Sequence, residues 1–180
     1  MDAIVIDASV AVPLLCPERE SETIKAALIR WRQTGHRLVV PGHFWLEVLN
    51  SLGRRHLYAG ADVIEALREL DELELETVTI ERPVHLLIAD LMERFGLTSY
   101  DAAYLGLAEV IDARLATMDT DLSVAAAGRW LDPLGSSGAH RLSETRAPYG
   151  TDVSVSWPRW SGAGAYLAEL RARALAGETS

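Results

Sequence analysis

Acidic residues follow the strand-like runs of this sequence at the points where those runs end. Asp7 and Asp119 come directly after apolar runs, and Glu47 lies one turn into a helix that follows another. Asp101 lies in the first turn of the helix that leads into the run before Asp119, and Asp121 belongs to the same turn as Asp119. Ligands of open α/β sheets bind beyond the carboxyl ends of the strands. The sequence therefore predicts that these carboxylates meet at one edge of a sheet.

Clustered carboxylates are suited to binding a divalent metal ion. Several of them within a few ångströms repel one another and cannot all ionise without a cation. Mg²⁺ prefers hard oxygen ligands and keeps several of its waters. A metal ion held in this way can activate water for attack on a phosphodiester, and a second ion can stabilise the leaving oxygen. The acids thus indicate metal-assisted hydrolysis of a phosphodiester.

Each acid also has a simpler interpretation. Asp7 could cap the next helix, and Glu47 taken alone resembles a surface glutamate. Asp119 and Asp121 could form a turn or a helix cap. Asp101 is harder to explain in this way, because it falls on the apolar stripe of its helix, where an unpaired carboxylate is costly. From the residues alone, both interpretations remain open.

The elements that would position these acids alternate between strands and helices. Apolar runs predict strands at residues 3–6, 38–40, 77–80 and 114–117. Helical spacing predicts helices at residues 21–33, 43–56, 61–75, 83–95 and 99–111, and a short helix from 121 to 128. Ser99 and Asp121 are the predicted caps of the last two helices. This alternation predicts a parallel sheet with helices on both faces.

Composition limits the class of protein. The chain has 180 residues, of which 49% are apolar, which suits one domain with a real core. No apolar run approaches the roughly 20 residues of a membrane span, and no signal segment is recognisable, so we expect a cytoplasmic protein without membrane contact. The single cysteine, Cys16, is predicted to pack in the core. The net charge of -9 argues against a protein that coats nucleic acid.

Four stretches of the sequence together carry a resemblance to a known family. They are residues 4–9 (IVIDAS), 45–52 (WLEVLNSL), 97–108 (LTSYDAAYLGLA) and 115–122 (LATMDTDL). In this order and at this spacing they resemble the PIN-domain nucleases, especially the VapC-type toxins of bacterial toxin–antitoxin pairs. The third stretch is the most specific of the four, and the resemblance covers roughly residues 1–130.

The resemblance implies a fold, an activity and partners. The fold is a three-layer α/β/α domain, here residues 1–134, with a central parallel sheet of four to five strands. The activity is cleavage of RNA with Mg²⁺ or Mn²⁺, and the partners are a second copy of the chain, in a homodimer, and an antitoxin protein. The residues that match the family's positions are the four acids Asp7, Glu47, Asp101 and Asp119, a fifth acid, Asp121, and two supporting residues, Ser9 and Thr117.

Roles for these residues follow as a hypothesis. Asp7, Asp101 and Asp119 hold Mg²⁺ directly or through water, Asp121 assists a second ion or its water shell, and Glu47 orients or deprotonates the attacking water. Two arginines further along the Glu47 helix, Arg54 and Arg55, are candidates for holding the RNA backbone. Their alternative role is an exposed helix end, where arginine interacts favourably with the helix dipole.

The remaining segment, residues 135–180, extends beyond the length that is common in the family. Residues 135–138 suggest a flexible joint, residues 151–157 an edge strand, and residues 161–176 a helix. This extension could pack on the domain or enlarge a dimer interface. It could also be an internal inhibitor, in which Trp157, Arg159 and Trp160 imitate the arm that an antitoxin lays over the acidic groove.

Two other functions fit the same sequence. A PIN nuclease could process RNA in normal metabolism rather than act as a toxin. A PIN-like module could also bind RNA or protein without cleaving it, although the complete set of acids argues against this alternative.

Overall fold

A computed structural model describes residues 2–16 and 19–135 of the chain. Its centre is a parallel sheet of five strands: β1 (Ala3–Ile6), β2 (Arg37–Pro41), β3 (Glu76–Val78), β4 (Arg114–Ala116) and β5 (Trp130–Leu131). The strands are ordered β3-β2-β1-β4-β5 across the sheet, and all four pairings are parallel. The prediction of a parallel sheet of four to five strands is confirmed.

Seven α-helices lie in the described part of the chain. They are α1 (Ala8–Leu15), α2 (Ser21–Gln33), α3 (Phe44–Asn50), α4 (Gly60–Asp71), α5 (Arg82–Phe95), α6 (Ser99–Val110) and α7 (Thr120–Ala126). A π-helical turn at Ser51–Arg55 continues α3, and a 3₁₀ turn at Ala127–Arg129 precedes β5. Helices and sheet form the predicted three-layer α/β/α fold.

The register of the central strands brings two polar residues together. All four residues of β1 are buried, as expected for a parallel strand that is covered on both faces. Ile6 pairs with Ala116 of β4, and the Asp7 amide donates to the Ala116 carbonyl at 3.1 Å. The residues that follow the two strands, Asp7 and Thr117, are therefore neighbours at the carboxyl edge of the sheet.

Helix α6 contacts three strands of the sheet, β1, β2 and β4, and α5 packs against α6. The two helices approach each other closely at Gly106, where an added Cβ would lie 3.3 Å from Cγ1 of Ile88. This close packing holds α6 against the sheet. The N-terminal end of α6, which carries Asp101, is thereby fixed near the ends of the strands.

Two short elements, α1 and β5, were not predicted from the sequence. Six of the eight residues of α1 are buried and Pro13 lies inside it, so the helix has no polar face that could produce an amphipathic pattern. Strand β5 has only two residues. The helix predicted over residues 43–56 is present, but only Phe44–Asn50 is α-helical, and the π-helical turn Ser51–Arg55 continues it.

Several predictions for the C-terminal part lie outside the described residues. These are the strand at 151–157, the helix at 161–176 and the arm with Trp157, Arg159 and Trp160, together with residues 136–138 of the joint. The domain boundary between 134 and 135 stays a prediction. Among residues 2–16 and 19–135, no helix combines the length and apolar character needed to cross a membrane.

Candidate active site

Asp7 is a buried carboxylate that is held by two hydroxyl groups. Its side chain is 6% exposed. Oδ2 accepts a hydrogen bond from Ser9 Oγ at 2.5 Å and another from Thr117 Oγ1 at 2.7 Å. Asp7 stands at the N-cap position of α1, and a hydrogen bond from the Ser9 backbone lowers its pKa, as do the two hydroxyls. The structure thus places Ser9 and Thr117 on Asp7, as the family resemblance implies.

The surroundings of Asp7 disfavour its charged form. The pKa of Asp7 is raised from 3.8 to about 6, because burial and, to a smaller extent, the charge of Asp101 outweigh the lowering effect of the hydrogen bonds from Ser9 and Thr117. A carboxylate that stays partly protonated near neutral pH, next to a second carboxylate, is the electrostatic signature of a cation site or a catalytic acid.

Asp101 is held at the start of α6 by Thr98. Its Oδ2 accepts from Thr98 Oγ1 at 2.6 Å, and its amide donates to the same oxygen at 3.2 Å. Thr98 is therefore the N-cap of α6, and the prediction of Ser99 as the cap is wrong. The hydroxyl of Thr98 serves both the helix and the carboxylate, which fixes Asp101 on the side of Asp7.

Glu47 joins the same cluster from α3 through a tyrosine. The hydroxyl of Tyr104 donates to Glu47 Oε2 at 2.5 Å. Burial raises the pKa of Tyr104, and the charges of Asp7 and Glu47 raise it further, so Tyr104 interacts with both carboxylates. The structure therefore brings Asp7, Asp101 and Glu47 to one edge of the sheet.

Tyr104 was not predicted from the sequence, and neither was the position of His43 beside Glu47. His43 Nε2 lies 3.8 Å from Glu47 Oε2. The signal for both residues was their spacing, because Tyr104 lies one turn after Asp101 and His43 one turn before Glu47, on the same helix faces.

Asp119 has a structural role as well as a place beside the cluster. Its amide donates to Thr117 Oγ1 at 2.9 Å, so Thr117 connects it to Asp7. Its Oδ1 accepts from the Leu122 amide at 2.9 Å and caps α7. The prediction of Asp121 as the cap is wrong, because the cap is Asp119, two residues earlier than expected. Asp121 is exposed in the first turn of α7.

Arg54 and Arg55 lie in the π-helical turn after α3 and are exposed. A π-helix makes i→i+5 hydrogen bonds and therefore takes more residues per turn than an α-helix. The π-helical turn therefore shifts Arg54 and Arg55 around the helix relative to the α-helical spacing from Glu47. The two arginines remain on the same helical segment as Glu47.

The chemistry of the donors fits a hard metal ion that is bound by only a few protein ligands. Among residues 2–16 and 19–135, no three His, Cys, Asp or Glu side chains are close enough to hold a metal ion between them. Such a triple would suit a closed zinc site. Mg²⁺ is commonly bound by one or two carboxylates, with water and substrate phosphate filling the other positions. The interacting carboxylates of Asp7 and Asp101 are a donor set of that kind.

Comparisons with known proteins identify relatives. The sequence model of the PIN domain family matches residues 4–128. Ribonuclease VapC3 from Pyrobaculum aerophilum is 32% identical over 125 residues, which cover 67% of this chain and 92% of that protein. The range matched by the family model contains all the residues of the acidic cluster.

Solved structures share the fold at lower sequence identity. A toxin–antitoxin complex from Klebsiella pneumoniae superimposes with a TM-score of 0.56 at 19% identity, over 72% of this chain and 97% of that one. VapC20 from Mycobacterium tuberculosis, a toxin that cleaves the sarcin-ricin loop, gives a TM-score of 0.56 at 16% identity, over 68% and 94% of the two chains. With the family match over residues 4–128 and the 32% identical relative, the chain belongs to the PIN-domain family and is of the VapC type.

Proposed function

We propose that this protein is an endoribonuclease that uses a divalent metal ion, Mg²⁺ or Mn²⁺, and acts as the toxin of a toxin–antitoxin pair. The observation that carries the proposal is the carboxylate of Asp7, which is buried beside Asp101. Such a pair is costly in the folded state unless a cation binds there. The similarity to a ribonuclease, which is 32% identical over 67% of this chain, favours RNA as the substrate.

In the proposed mechanism, Asp7 and Asp101 hold the metal ion, with Asp119 acting through water and Asp121 assisting a second ion or its water shell. When bound, the metal ion supplies Lewis acidity that lowers the pKa of a water molecule and offsets charge on the phosphate. The hydroxyls of Ser9 and Thr117 fix the orientation of the Asp7 carboxylate.

Glu47 orients the attacking water and takes its proton. Water forms a new bond to phosphorus in line with the bond to O3′, which breaks. The products are a 5′-phosphate and a 3′-hydroxyl. Tyr104 donates to one oxygen of Glu47, so the general base has a defined direction in the cluster.

Contact with the RNA backbone is proposed for Arg54 and Arg55. Both are exposed on the turn that follows the Glu47 helix. The chain carries a net charge of -9, so affinity for RNA must come from a local cationic surface and should weaken as salt is raised. Substitution of both arginines by glutamine should raise KM more than it lowers kcat.

The proposed partners are an antitoxin protein and a second copy of the chain. A structural relative that was solved as a toxin–antitoxin complex supports the first of these. Co-expression with the product of the adjacent gene, followed by co-purification and loss of RNA cleavage, tests for the antitoxin. Light scattering during gel filtration tests for the homodimer.

The decisive experiment is cleavage of a mixed RNA pool by the full chain with Mg²⁺, Mn²⁺ or EDTA. Asp7→Asn and Asp101→Asn should abolish cleavage at every mapped site. Asp90→Asn is a matched control, because Asp90 pairs with Arg94 on α5, outside the acidic cluster, and should cleave like the wild type. Cleavage that persists in EDTA, or in both cluster variants, would exclude the proposed function.

A further inference from the structure

Tyr104 is a core residue whose side-chain hydroxyl contacts a proposed catalytic acid. Its side chain is completely buried, although it lies on the same face of α6 as Asp101, one turn away. A buried tyrosine hydroxyl needs a hydrogen-bond partner. Here the hydroxyl donates to Glu47 Oε2 at 2.5 Å, so the partner is a side chain of the site and not a backbone carbonyl.

His43 packs around the same contact. Its ring meets the ring of Tyr104 edge-on, with the centroids 4.8 Å apart. His43 Nε2 is buried, has no hydrogen-bond partner among the described residues, and lies 3.8 Å from Glu47 Oε2. This distance is too long for a hydrogen bond. Burial also lowers the pKa of His43, which disfavours an ion pair with Glu47. Of these two aromatic neighbours, Tyr104 is therefore the one that can fix Glu47 by a hydrogen bond.

The hydroxyl of Tyr104 remains a donor under working conditions. Burial is the main cause that raises its pKa, and the negative charges of Asp7 and Glu47 raise it further. A neutral hydroxyl near two carboxylates can hold one of them without adding charge to the cluster. This hydrogen bond restrains a side chain that is 29% exposed, since a glutamate at the surface samples several rotamers.

We propose that Tyr104 is a positioning residue that holds the carboxylate of Glu47 beside Asp7 in the geometry needed to direct the attacking water. This inference rests on the proposed nuclease function and assigns to that site a residue outside the acidic set. Tyr104 touches neither substrate nor metal ion in this role, and it acts through Glu47. Phenylalanine would fill the same space but remove the hydrogen bond from Tyr104 to Glu47.

The test compares Tyr104→Phe with a matched tyrosine in the full chain. Tyr58 is suitable, because its hydroxyl donates to the backbone carbonyl of Leu15 at 2.7 Å, in a contact outside the cluster. On an RNA oligonucleotide that spans a mapped cleavage site, Tyr104→Phe should lower kcat by about 10- to 100-fold with little change in KM, since misplacement of a catalytic group by about 1 Å can cost about 100-fold. Tyr58→Phe should change neither constant.

A double-mutant cycle separates positioning from general loss of structure. If Tyr104 acts through Glu47, then adding Tyr104→Phe to Glu47→Gln should slow cleavage no further, with rates measured in single turnovers at excess enzyme. An equal loss in both backgrounds, or full activity of Tyr104→Phe, would overturn the positioning role. A crystal structure of Tyr104→Phe gives a second readout, since Glu47 should leave its wild-type position, and an unmoved Glu47 contradicts the inference.

Failure of the nuclease proposal would look different. In that case Asp7→Asn and Glu47→Gln would themselves cleave RNA at the wild-type rate. If they are inactive while Tyr104→Phe is fully active, the nuclease proposal stands and only the role of Tyr104 is refuted.

Discussion

Asp7→Asn is expected to stabilise the metal-free protein at neutral pH while it abolishes RNA cleavage. Burial is the main reason that the pKa of Asp7 rises from 3.8 to about 6. Each pKa unit corresponds to about 1.4 kcal/mol, so the ionised carboxylate destabilises the folded state by about 3 kcal/mol at neutral pH. Asparagine has nearly the same shape, carries no charge and can accept the same hydroxyl hydrogen bonds. Asp7→Asn should therefore raise the free energy of unfolding by about 1–2 kcal/mol. The gain is smaller than the full cost of the charge, because the NH₂ group of asparagine needs a hydrogen-bond acceptor of its own.

The effect of Asp7 on stability has a defined pH window. The pKa of Asp7 is higher in the folded protein than in the unfolded chain, so between pH 3.8 and about 6 the folded state holds a proton that the unfolded chain has released. The contribution of this group to the free energy of unfolding therefore falls as pH rises through that window. Below the window the carboxyl is neutral in both states, and the advantage of asparagine should disappear.

Urea unfolding in EDTA at pH 4, at the lower end of this window where the advantage should be small, and at pH 8, above it, measures this difference directly. Asp90→Asn is the control, because it removes a carboxylate from a surface pair with Arg94 and should change stability by less than about 1 kcal/mol. The assignment of a destabilising buried charge would be refuted if Asp7→Asn is less stable than the wild type at pH 8. It would also be refuted if Asp7→Asn is more stable than the wild type by the same amount at both pH values.

Three further effects are expected from the same geometry. Mg²⁺ should raise the melting temperature of the wild type at pH 8 but not that of Asp7→Asn, with about 2.7 kcal/mol gained at a concentration of 100 times Kd; equal shifts in both would place the ion elsewhere. Thr117→Val keeps the shape but loses the hydroxyl that serves Asp7 and the Asp119 amide, so unfolding experiments should show a loss of about 1–3 kcal/mol, and cleavage should slow. Gly106→Val should destabilise the fold by about 1–3 kcal/mol, because its Cβ would lie 3.3 Å from Ile88 Cγ1, and an unchanged melting temperature would contradict this close packing of α5 and α6.

The fold could be predicted from the sequence where hydrophobic periodicity is strong. Helix α2 begins and ends at the predicted residues, and α5 ends before Gly96, which adopts a left-handed φ of 67°. Helix α1 was not predicted, because a helix that is buried on nearly all sides shows no amphipathic pattern. The two residues of β5 owe their strand conformation to pairing with β4, and such a pairing is not encoded locally.

The acidic site could be predicted in part, because topology places the residues that follow parallel strands at one edge. The common position of Asp7, Glu47 and Asp101 could be predicted in this way. The place of Tyr104 in the site could not, since an aromatic residue on an apolar helix face ordinarily packs in the core. The contact of Tyr104 with Glu47 depends on how α6 and α3 lie relative to each other, which local sequence patterns do not determine.

Asp119 combines a structural role and a proposed metal-binding role, and one substitution can separate them. Its Oδ1 caps α7 through the Leu122 amide, and asparagine caps a helix as well as aspartate does. Asp119→Asn should therefore keep the free energy of unfolding within about 0.5 kcal/mol of the wild type, whereas Asp119→Ala should lose about 0.5–2 kcal/mol with the cap. If Asp119 also binds the metal ion through water, Asp119→Asn should cleave RNA more slowly and need more Mg²⁺ for half-maximal rate. A variant Asp119→Asn with the wild-type rate and Mg²⁺ dependence would restrict Asp119 to the helix cap and leave Asp7 and Asp101 as the metal-binding pair.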